Sequence, residues 1–309
     1  MRIPVVTALA ALASILLGMA PVPAAAHFER ALGERPVARP AALKVGVTLH
    51  PYYSWTRNVA GDLPIEVRPI LPGDVDAGRY QPTPGDIKKL ADLDAIVVNG
   101  IGHDDFIFEM IKASGNAKIV VIRVNQSTPQ IRGARGEAAN SHTFISFTNA
   151  IQQSYAIEKA LAELRPEMAA TLRANAAAYA KRLRAIKAAA AARLAGAKVH
   201  RVVTVHDGYG YFLQEFGIEV AGVLEPAHGL VPSASELSAL VDLIKKENVK
   251  VVLSEEGFSR PMLDVLEKNG KARVFIISHI ASGAYTEDKF EVEMTRNADT
   301  LVIALTKDP

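Results

Sequence analysis

Short apolar runs rich in valine and isoleucine recur along the chain and alternate with segments of helical periodicity. Their continuous apolar content is typical of strands that are buried on both faces, as in a parallel sheet. Four runs lie in the first half of the chain and four in the second, at 43–50, 65–71, 95–100, 118–124, 200–206, 218–224, 249–255 and 272–278. The pattern predicts an α/β protein of two similar lobes, each built on a parallel four-stranded sheet.

A long alanine-rich stretch separates the two sets of strands. Pro166 suits the first position of a helix and Gly196 suits its end, and apolar residues between them recur at helical spacing. A flexible linker would be rich in glycine and serine instead. The stretch therefore predicts one long rigid helix that joins the two lobes and limits how far they can swing.

The first residues have the features of a secretory signal. Arg2 is followed by an apolar stretch that Gly18 and Pro21 interrupt, and three alanines precede His27. The stretch falls short of the about 20 apolar residues that a bilayer span needs, so we predict a cleaved signal peptide and an exported, soluble protein. The predicted divisions are a signal peptide at 1–26, a leader at 27–42, an N-terminal α/β lobe at 43–147, a helical linker with the long helix at 148–196, and a C-terminal α/β lobe at 197–309.

The composition excludes several classes of partner and chemistry. The 309 residues include 35 basic and 33 acidic side chains without a basic tract, so we predict no nucleic-acid partner. The absence of cysteine excludes disulfides, thiolate metal ligands, a cysteine nucleophile and a lipid-modified cysteine. An exported protein without a lipid anchor stays near the cell only in a closed compartment, so we predict a periplasmic protein, and we expect a monomer.

Five of the eight histidines occupy related positions. His50, His103, His206 and His279 lie at or just after the ends of predicted strands, and His142 precedes a helix that starts near Thr148. Ligands of open parallel sheets bind outside the carboxyl ends of the strands, so two facing lobes would bring these imidazoles to one cleft. Imidazoles without thiolates suit Zn²⁺, and also copper or nickel, whereas Ca²⁺ and Mg²⁺ prefer oxygen ligands.

Four segments of the sequence are similar to those of a known family. They are RYQPTPGDIKKLADLDAIVVNGIG, NSHTFISFTNAIQQSYAIEKALAELRPE, HDGYGYFLQEFGIEVAGVLEP and PSASELSALVDLIKKENVKVVLSEEGFS. Through them the chain resembles the periplasmic zinc/manganese-binding proteins of bacterial metal ABC importers, the cluster A-I solute-binding protein family. The resemblance implies two α/β lobes joined by one long helix, with the metal ion in the cleft between the lobes.

The resemblance also implies metal ligands. His142 lies where the family has a ligand in a D/N-P-H-x-W-like segment, and His206 lies where a ligand opens an H-D-x-F/Y-x-Y-F segment. Manganese-preferring members tend to have a carboxylate at the second of these positions, so His206 favours zinc. Glu255 matches an acidic residue that precedes a Phe-Ser pair. Asp207, Glu255 and Glu256 could each supply an oxygen ligand or orient an imidazole.

Two positions depart from the family pattern. Gly78 stands where the family usually has a histidine ligand, and Ser278, beside His279, stands where it usually has an aspartate. A long loop rich in histidine and aspartate, common in zinc-binding members, is also absent. We hypothesise that His103 or His50 replaces the missing ligand of the N-terminal lobe and that His279 replaces the aspartate, which gives a site of three or four histidines.

These observations predict a binding protein, not an enzyme. It would capture a divalent metal ion, Zn²⁺ ahead of Mn²⁺ or Cu²⁺, and deliver it to an ABC permease in the inner membrane. The HExxH, GxSxG and Walker A motifs of common enzyme classes are absent from the sequence, which favours binding over catalysis.

Two alternative functions stay open at this point. A binding protein of the same architecture for a metal chelate, haem or corrinoid would need aromatic walls in a wider cleft, which Trp55, Tyr52, Tyr53 and Tyr80 would provide. A metal-dependent hydrolase would use His103 with Asp104 and Asp105 around an ion with an open coordination position. The two aspartates also suit the first turn of a helix, where acidic side chains stabilise the helix dipole.

Overall fold

The computed structural model describes residues 41–75, 77–133, 139–225 and 231–306. The predicted signal peptide, most of the predicted leader, His27 and His228 lie outside these ranges. The residues in these ranges form one compact unit.

The described residues form two four-stranded sheets in which every paired strand is parallel, as the sequence predicts. The first sheet has the order β2-β1-β3-β4 and the second has the order β6-β5-β7-β8. The strands are β1 Leu43–Val47, β2 Ile65–Pro69, β3 Ala95–Val98, β4 Val120–Arg123, β5 Arg201–His206, β6 Glu219–Glu225, β7 Val251–Ser254 and β8 Arg273–Ile276. Both sheets fall within the predicted lobes, whose boundaries stay a prediction.

The first strand of each sheet lies at its centre, with the second strand on one side and the third on the other. Val45 of β1 pairs with Ala95 of β3, and Val203 of β5 pairs with Val252 of β7. The chain therefore reverses its winding direction between β1 and β3 and again between β5 and β7. Such switch points leave a crevice outside the carboxyl ends of the strands.

Nine α-helices connect and cover these strands within the described ranges. They are α1 His50–Ala60, α2 Pro84–Lys88, α3 Phe106–Ser114, α4 Phe147–Leu164, α5 Ala169–Leu194, α6 Gly210–Gln214, α7 Ala234–Lys246, α8 Arg260–Gly270 and α9 Lys289–Thr306. Not one of these helices combines the length and the apolar character that crossing a membrane requires.

The first helix begins earlier than the sequence pattern predicts. The run 43–50 reads as one strand, but β1 ends at Val47 and His50 is the first residue of α1. Pro51 lies in the first turn, where its fixed φ suits a helix and its missing N–H is not needed. His50 is therefore a helix-start residue and not a strand-end residue.

The long helix predicted from Pro166 onward is present. A 3₁₀ turn at Pro166–Met168 leads directly into α5, which has 26 residues and is about 39 Å long. Its buried side chains, among them Leu172, Tyr179 and Leu183, form the predicted apolar stripe. This helix lies between the two sheets in the chain and packs against α1, α4 and α9.

The apolar core joins the two sheets. One cluster contains Val45 and Ile96 of the first sheet, Tyr179 of α5, Leu253 of the second sheet and Leu301 of α9. A second cluster, which includes Val203, Leu240 and Leu266, packs α7 and α8 against the second sheet. Because the first cluster includes strands from both sheets, the described halves share a core.

Candidate metal centre

Three buried histidines lie close together among the residues that the structure describes. His142, His206 and His279 each offer a ring nitrogen, and these three atoms lie within 4.8 Å of one another. The Nε2 atoms of His142 and His206 are 3.1 Å apart. The histidines come from distant parts of the sequence, as the prediction of a shared cleft requires.

Each of the three histidines is placed by a different element. His206 is the last residue of β5, at the switch point of the second sheet. His279 follows β8, and His142 lies in the loop before α4. The Ser146 hydroxyl accepts a hydrogen bond from the N–H of Asn149 and caps α4, which fixes where that loop ends.

The His142 ring is oriented by Asn140. The Asn140 Oδ1 accepts hydrogen bonds from the backbone N–H of His142 at 2.9 Å and from its ring Nδ1 at 2.8 Å. With Nδ1 as the donor, the lone pair of the neutral ring is on Nε2, the atom that faces His206. Sequence reasoning missed Asn140, although an Asn two residues before a candidate ligand matches a local Asx-turn pattern.

Gly208 leaves the space that two of the rings occupy. A Cβ atom at Gly208 would lie 2.8 Å from Cδ2 of His206 and 3.1 Å from Nε2 of His279. Both distances are shorter than ordinary van der Waals contacts. Gly208 was also missed from the sequence, where it is one of several glycines in the segment HDGYGY.

The backbone around His279 is clamped. Asn297 of α9 is fully buried and contacts the backbone of Ser278 twice, as acceptor from its N–H at 2.7 Å and as donor to its carbonyl at 2.8 Å. Ile280 has φ +60°, a conformation that is strained for a β-branched residue. The backbone of Ser278 is therefore held by Asn297. The next residue, His279, belongs to the group of three.

His103 adjoins the three histidines without belonging to the closest group. Its ring centroid lies 5.0 Å from that of His142 and 6.2 Å from that of His279, and the residue is buried. His103 also lines a small cavity together with His50 and with Ala77, the neighbour of Gly78. Both histidines considered as the replacement ligand thus line the same cavity, and His103 also lies against His142.

The structure does not bring His50 into the group. Its ring stacks flat on Tyr285 with centroids 3.9 Å apart, and its Nε2–H donates to the Gly283 carbonyl at 3.0 Å. Burial lowers the pKa of His50 below its ordinary value. Of the two histidines considered as the replacement ligand, His103 is the one beside the cluster.

Asp104 stabilises the loop in front of His103. Its carboxylate accepts hydrogen bonds from the Thr48 hydroxyl at 2.5 Å, from the Asn99 N–H at 2.7 Å and from the Gly100 N–H at 3.1 Å. Burial raises the pKa of Asp104, an effect that these hydrogen bonds oppose. Asp105 takes the position before α3, so only the second aspartate is a helix-start residue.

The candidate carboxylates from the second sheet lie at the edge of the cluster. Glu255 is half-buried and accepts a hydrogen bond from the Tyr209 hydroxyl at 3.4 Å. The Tyr209 ring is 6.4 Å from the His206 ring, centroid to centroid. Glu256 is exposed, and neither carboxylate belongs to the group of three.

The chain has two α/β halves with parallel sheets, and a long helix joins them. Both halves supply imidazoles to one buried group. These features define the class of metal-binding solute-binding proteins. The family model described as zinc-uptake complex component A, periplasmic (ZnuA) matches residues 45–304. The chain belongs to this family. The resemblance and the fold predicted from the sequence are thereby confirmed, and the class is one of binding proteins, not of enzymes.

Solved structures and curated relatives agree with this assignment. The chain is 43% identical to the solute-binding protein FpvC of Pseudomonas aeruginosa in complex with Ni²⁺, with a TM-score of 0.80 over 85% of this chain and 97% of that one. A second FpvC structure, 42% identical with a TM-score of 0.80 over 85% of this chain and 98% of that one, is in complex with Mn²⁺. A zinc-bound ZnuA deletion mutant is 25% identical, with a TM-score of 0.75 over 87% of this chain and 100% of that one.

Among curated proteins, the zinc-binding lipoprotein AdcA of Streptococcus pneumoniae is 24% identical over 253 residues, which is 78% of this chain and 50% of AdcA. The chain thus spans about half the length of the streptococcal relatives it matches.

Proposed function

We propose that this protein captures a divalent transition metal, zinc first, in the periplasm and delivers it to an ABC permease of the inner membrane. The observation that carries the proposal is the convergence of His142, His206 and His279 within 4.8 Å. In a tetrahedral zinc site with Zn–N bonds of about 2.0–2.1 Å, neighbouring nitrogens lie about 3.3 Å apart. The 3.1 Å between the Nε2 atoms of His142 and His206 is close to this value.

His103 is the fourth ligand in this proposal. It is buried, and its ring lies 5.0 Å from that of His142, centroid to centroid. With His103 bound to the ion, the site would consist of four neutral imidazoles. Such a set suits Zn²⁺, Ni²⁺ or Cu²⁺ better than it suits Ca²⁺ or Mg²⁺.

The assignment is tested first by elemental analysis of protein purified without chelator. A competition titration with zinc, manganese, nickel and copper follows, because FpvC is known in complex with Ni²⁺ and with Mn²⁺. We expect zinc to be retained and to compete well against manganese. Absence of binding by all four ions would refute the proposed function.

Alanine variants then assign the ligands. We expect His142→Ala and His206→Ala to abolish zinc binding, and His103→Ala and His279→Ala to weaken it sharply. His200→Ala is the matched control, because His200 is exposed and its loss should leave binding unchanged. If a folded His103/His279 double variant binds zinc as tightly as the parent, the four-histidine site is wrong.

The observations do not favour either alternative function. Two of the aromatic residues that a chelate-binding cleft would use, Tyr52 and Trp55, are fully buried in the core. The Asp104 carboxylate, which a hydrolase would use as a base, already accepts three hydrogen bonds from its own loop and Thr48. Metal binding without chemistry is the function that this arrangement supports best.

A further inference from the structure

One buried amide connects two of the histidines, whose Nε2 atoms are 3.1 Å apart. The side chain of Asn140 contacts the His142 ring through Oδ1 at 2.8 Å. Its Nδ2 donates a hydrogen bond to the backbone carbonyl of Asp207 at 2.7 Å. Because Asp207 directly follows His206, a single side chain links the loop of one ligand to the strand end of the other.

The backbone of Asn140 is itself held firmly. Its N–H donates to the Ile131 carbonyl at 2.8 Å, and its carbonyl accepts from the Tyr211 hydroxyl at 2.8 Å. The same Tyr211 hydroxyl accepts a hydrogen bond from the Ile131 N–H at 3.1 Å. Both backbone groups of Asn140 are thus already paired. The three hydrogen bonds of its side chain, two accepted by Oδ1 from His142 and one donated by Nδ2 to Asp207, are additional and orient the histidine segments.

We propose that Asn140 is a positioning residue that sets the separation between His142 and His206 before the metal arrives. The inference rests on the proposed function, since it concerns the same site. Oδ1 fixes which nitrogen of His142 donates, and Nδ2 fixes the distance to the segment of His206. The ion then meets two nitrogens already placed at ligand spacing, so binding costs less ordering of the site.

The two ends of the Asn140 amide have opposite chemical requirements, because Oδ1 accepts from His142 and Nδ2 donates to the Asp207 carbonyl. This difference allows a sharp test. In Asn140→Asp, an oxygen still accepts from His142, but the second oxygen faces the Asp207 carbonyl and repels it. If Asn140 served only as an acceptor, the new charge would attract the ion and make the imidazole more basic, so zinc would bind as tightly as before or more tightly. If the link to Asp207 sets the site, zinc must bind more weakly.

We expect zinc to bind Asn140→Asp about ten- to a hundredfold more weakly than the parent, the usual effect of losing a partner of a metal ligand. Affinity is measured by competition with a chelator. The visible spectrum of the Co²⁺-loaded protein provides a second readout, because it reports coordination geometry, and it should change in this variant. Equal or tighter zinc binding, or an unchanged Co²⁺ spectrum, would overturn the proposal.

Asn116→Asp is the matched control. The Asn116 amide also donates to backbone carbonyls, those of Leu90 and Leu93, both at 2.8 Å, but Asn116 lies on the loop after α3. It should tolerate the same substitution without any loss of zinc affinity. An equal loss in both variants would show a general effect of destabilisation and would contradict the proposal.

A second variant keeps the test valid if Asn140→Asp does not fold. Tyr211→Phe removes the hydroxyl that bonds the Asn140 carbonyl and leaves the amide in place, so we expect a zinc affinity between those of the parent and Asn140→Asp. Parent-like affinity in a folded Tyr211→Phe would contradict the proposal.

Failure of the proposed function and failure of this inference give different results. If the parent itself binds no metal, the proposed function fails. If the parent binds zinc and Asn140→Asp binds it equally well, only the role of Asn140 fails.

Discussion

At the scale of single residues, the space around the three histidines is as restricted as their hydrogen bonds. Gly208 has no side chain where a Cβ atom would contact the rings of both His206 and His279. Both rings are buried, so a side chain at this position would have to displace them. The requirement for glycine at this position comes from packing and not from an unusual backbone conformation.

We predict that Gly208→Ala weakens zinc binding by about tenfold or more, a loss of the size seen when contacts around metal ligands are disturbed. The new methyl group would push the His206 and His279 rings away from their positions. Affinity is measured by chelator competition. Gly196→Ala is the control, because a Cβ atom there has no atom within 4 Å, and equal affinity of the two variants would contradict the prediction.

At the scale of elements, helix α1 holds the segment that carries His279. This segment, residues 277–288, connects β8 to α9. His50 stacks on Tyr285, and Ser54 and Asn58 donate hydrogen bonds to the Glu287 carbonyl at 2.5 and 2.9 Å. These contacts account for the burial of His50 without any role as a metal ligand.

The lowered pKa of His50 predicts a pH-dependent stability. A histidine whose pKa is lower in the folded state takes up a proton first in the unfolded chain. The free energy of unfolding should therefore fall as the pH drops below about 6.5, with a slope of at most about 1.4 kcal/mol per pH unit from this group. His50→Gln lacks this contribution. The difference in the free energy of unfolding between the parent and this variant should therefore become smaller toward acid pH.

The measurement is denaturant unfolding of the metal-free protein at several pH values between about 7.5 and 5. His200→Gln removes an exposed histidine and controls for the loss of a histidine as such. A gap between parent and His50→Gln that stays constant, or that changes as it does for His200→Gln, would show that the burial of His50 has no such effect.

At the scale of the whole molecule, the two sheets share one apolar cluster and are bridged by α5. The Asn175 side chain donates to the Val59 carbonyl of α1 at 3.1 Å, and Arg182 forms a salt bridge with Glu291 of α9 at 2.9 Å. The long helix is thus fixed to elements from both halves. We expect metal binding to change the arrangement of the sheets little.

Binding of zinc should raise the melting temperature by linkage, because an ion that binds only the folded state stabilises it. At a free zinc concentration a hundred times Kd the gain is about 2.7 kcal/mol. The shift in melting temperature should disappear when a chelator is added, and it should be absent in a His142→Ala/His206→Ala double variant. It should become smaller below about pH 6.5, because imidazoles become protonated there. Thermal unfolding by circular dichroism measures it, and a shift that persists in the double variant would place the metal elsewhere.

Local patterns accounted for most of the fold. Continuous apolar runs predicted all eight strands, and helix-start and helix-end residues predicted the long helix around α5, because periodicity and capping depend on neighbouring residues. The end of β1 was predicted three residues too late, since the run VGVTLH does not show that Pro51 already belongs to a helix. His142 and His206 could be named from sequence segments that resemble those of the family.

Which of the remaining histidines lie beside His142 and His206 could be seen only in the folded chain. His50 and His103 occupy equivalent places after β1 and β3, yet one packs on Tyr285 and the other lies beside His142. The Nε2 atoms of His142 and His206, which are 3.1 Å apart, belong to residues 64 positions apart. The hydrogen bond between Asn140 and Asp207 joins residues 67 positions apart. Contacts at such separations depend on how the two sheets pack, which no local pattern in the chain encodes, whereas the strands and helices themselves follow from short-range periodicity.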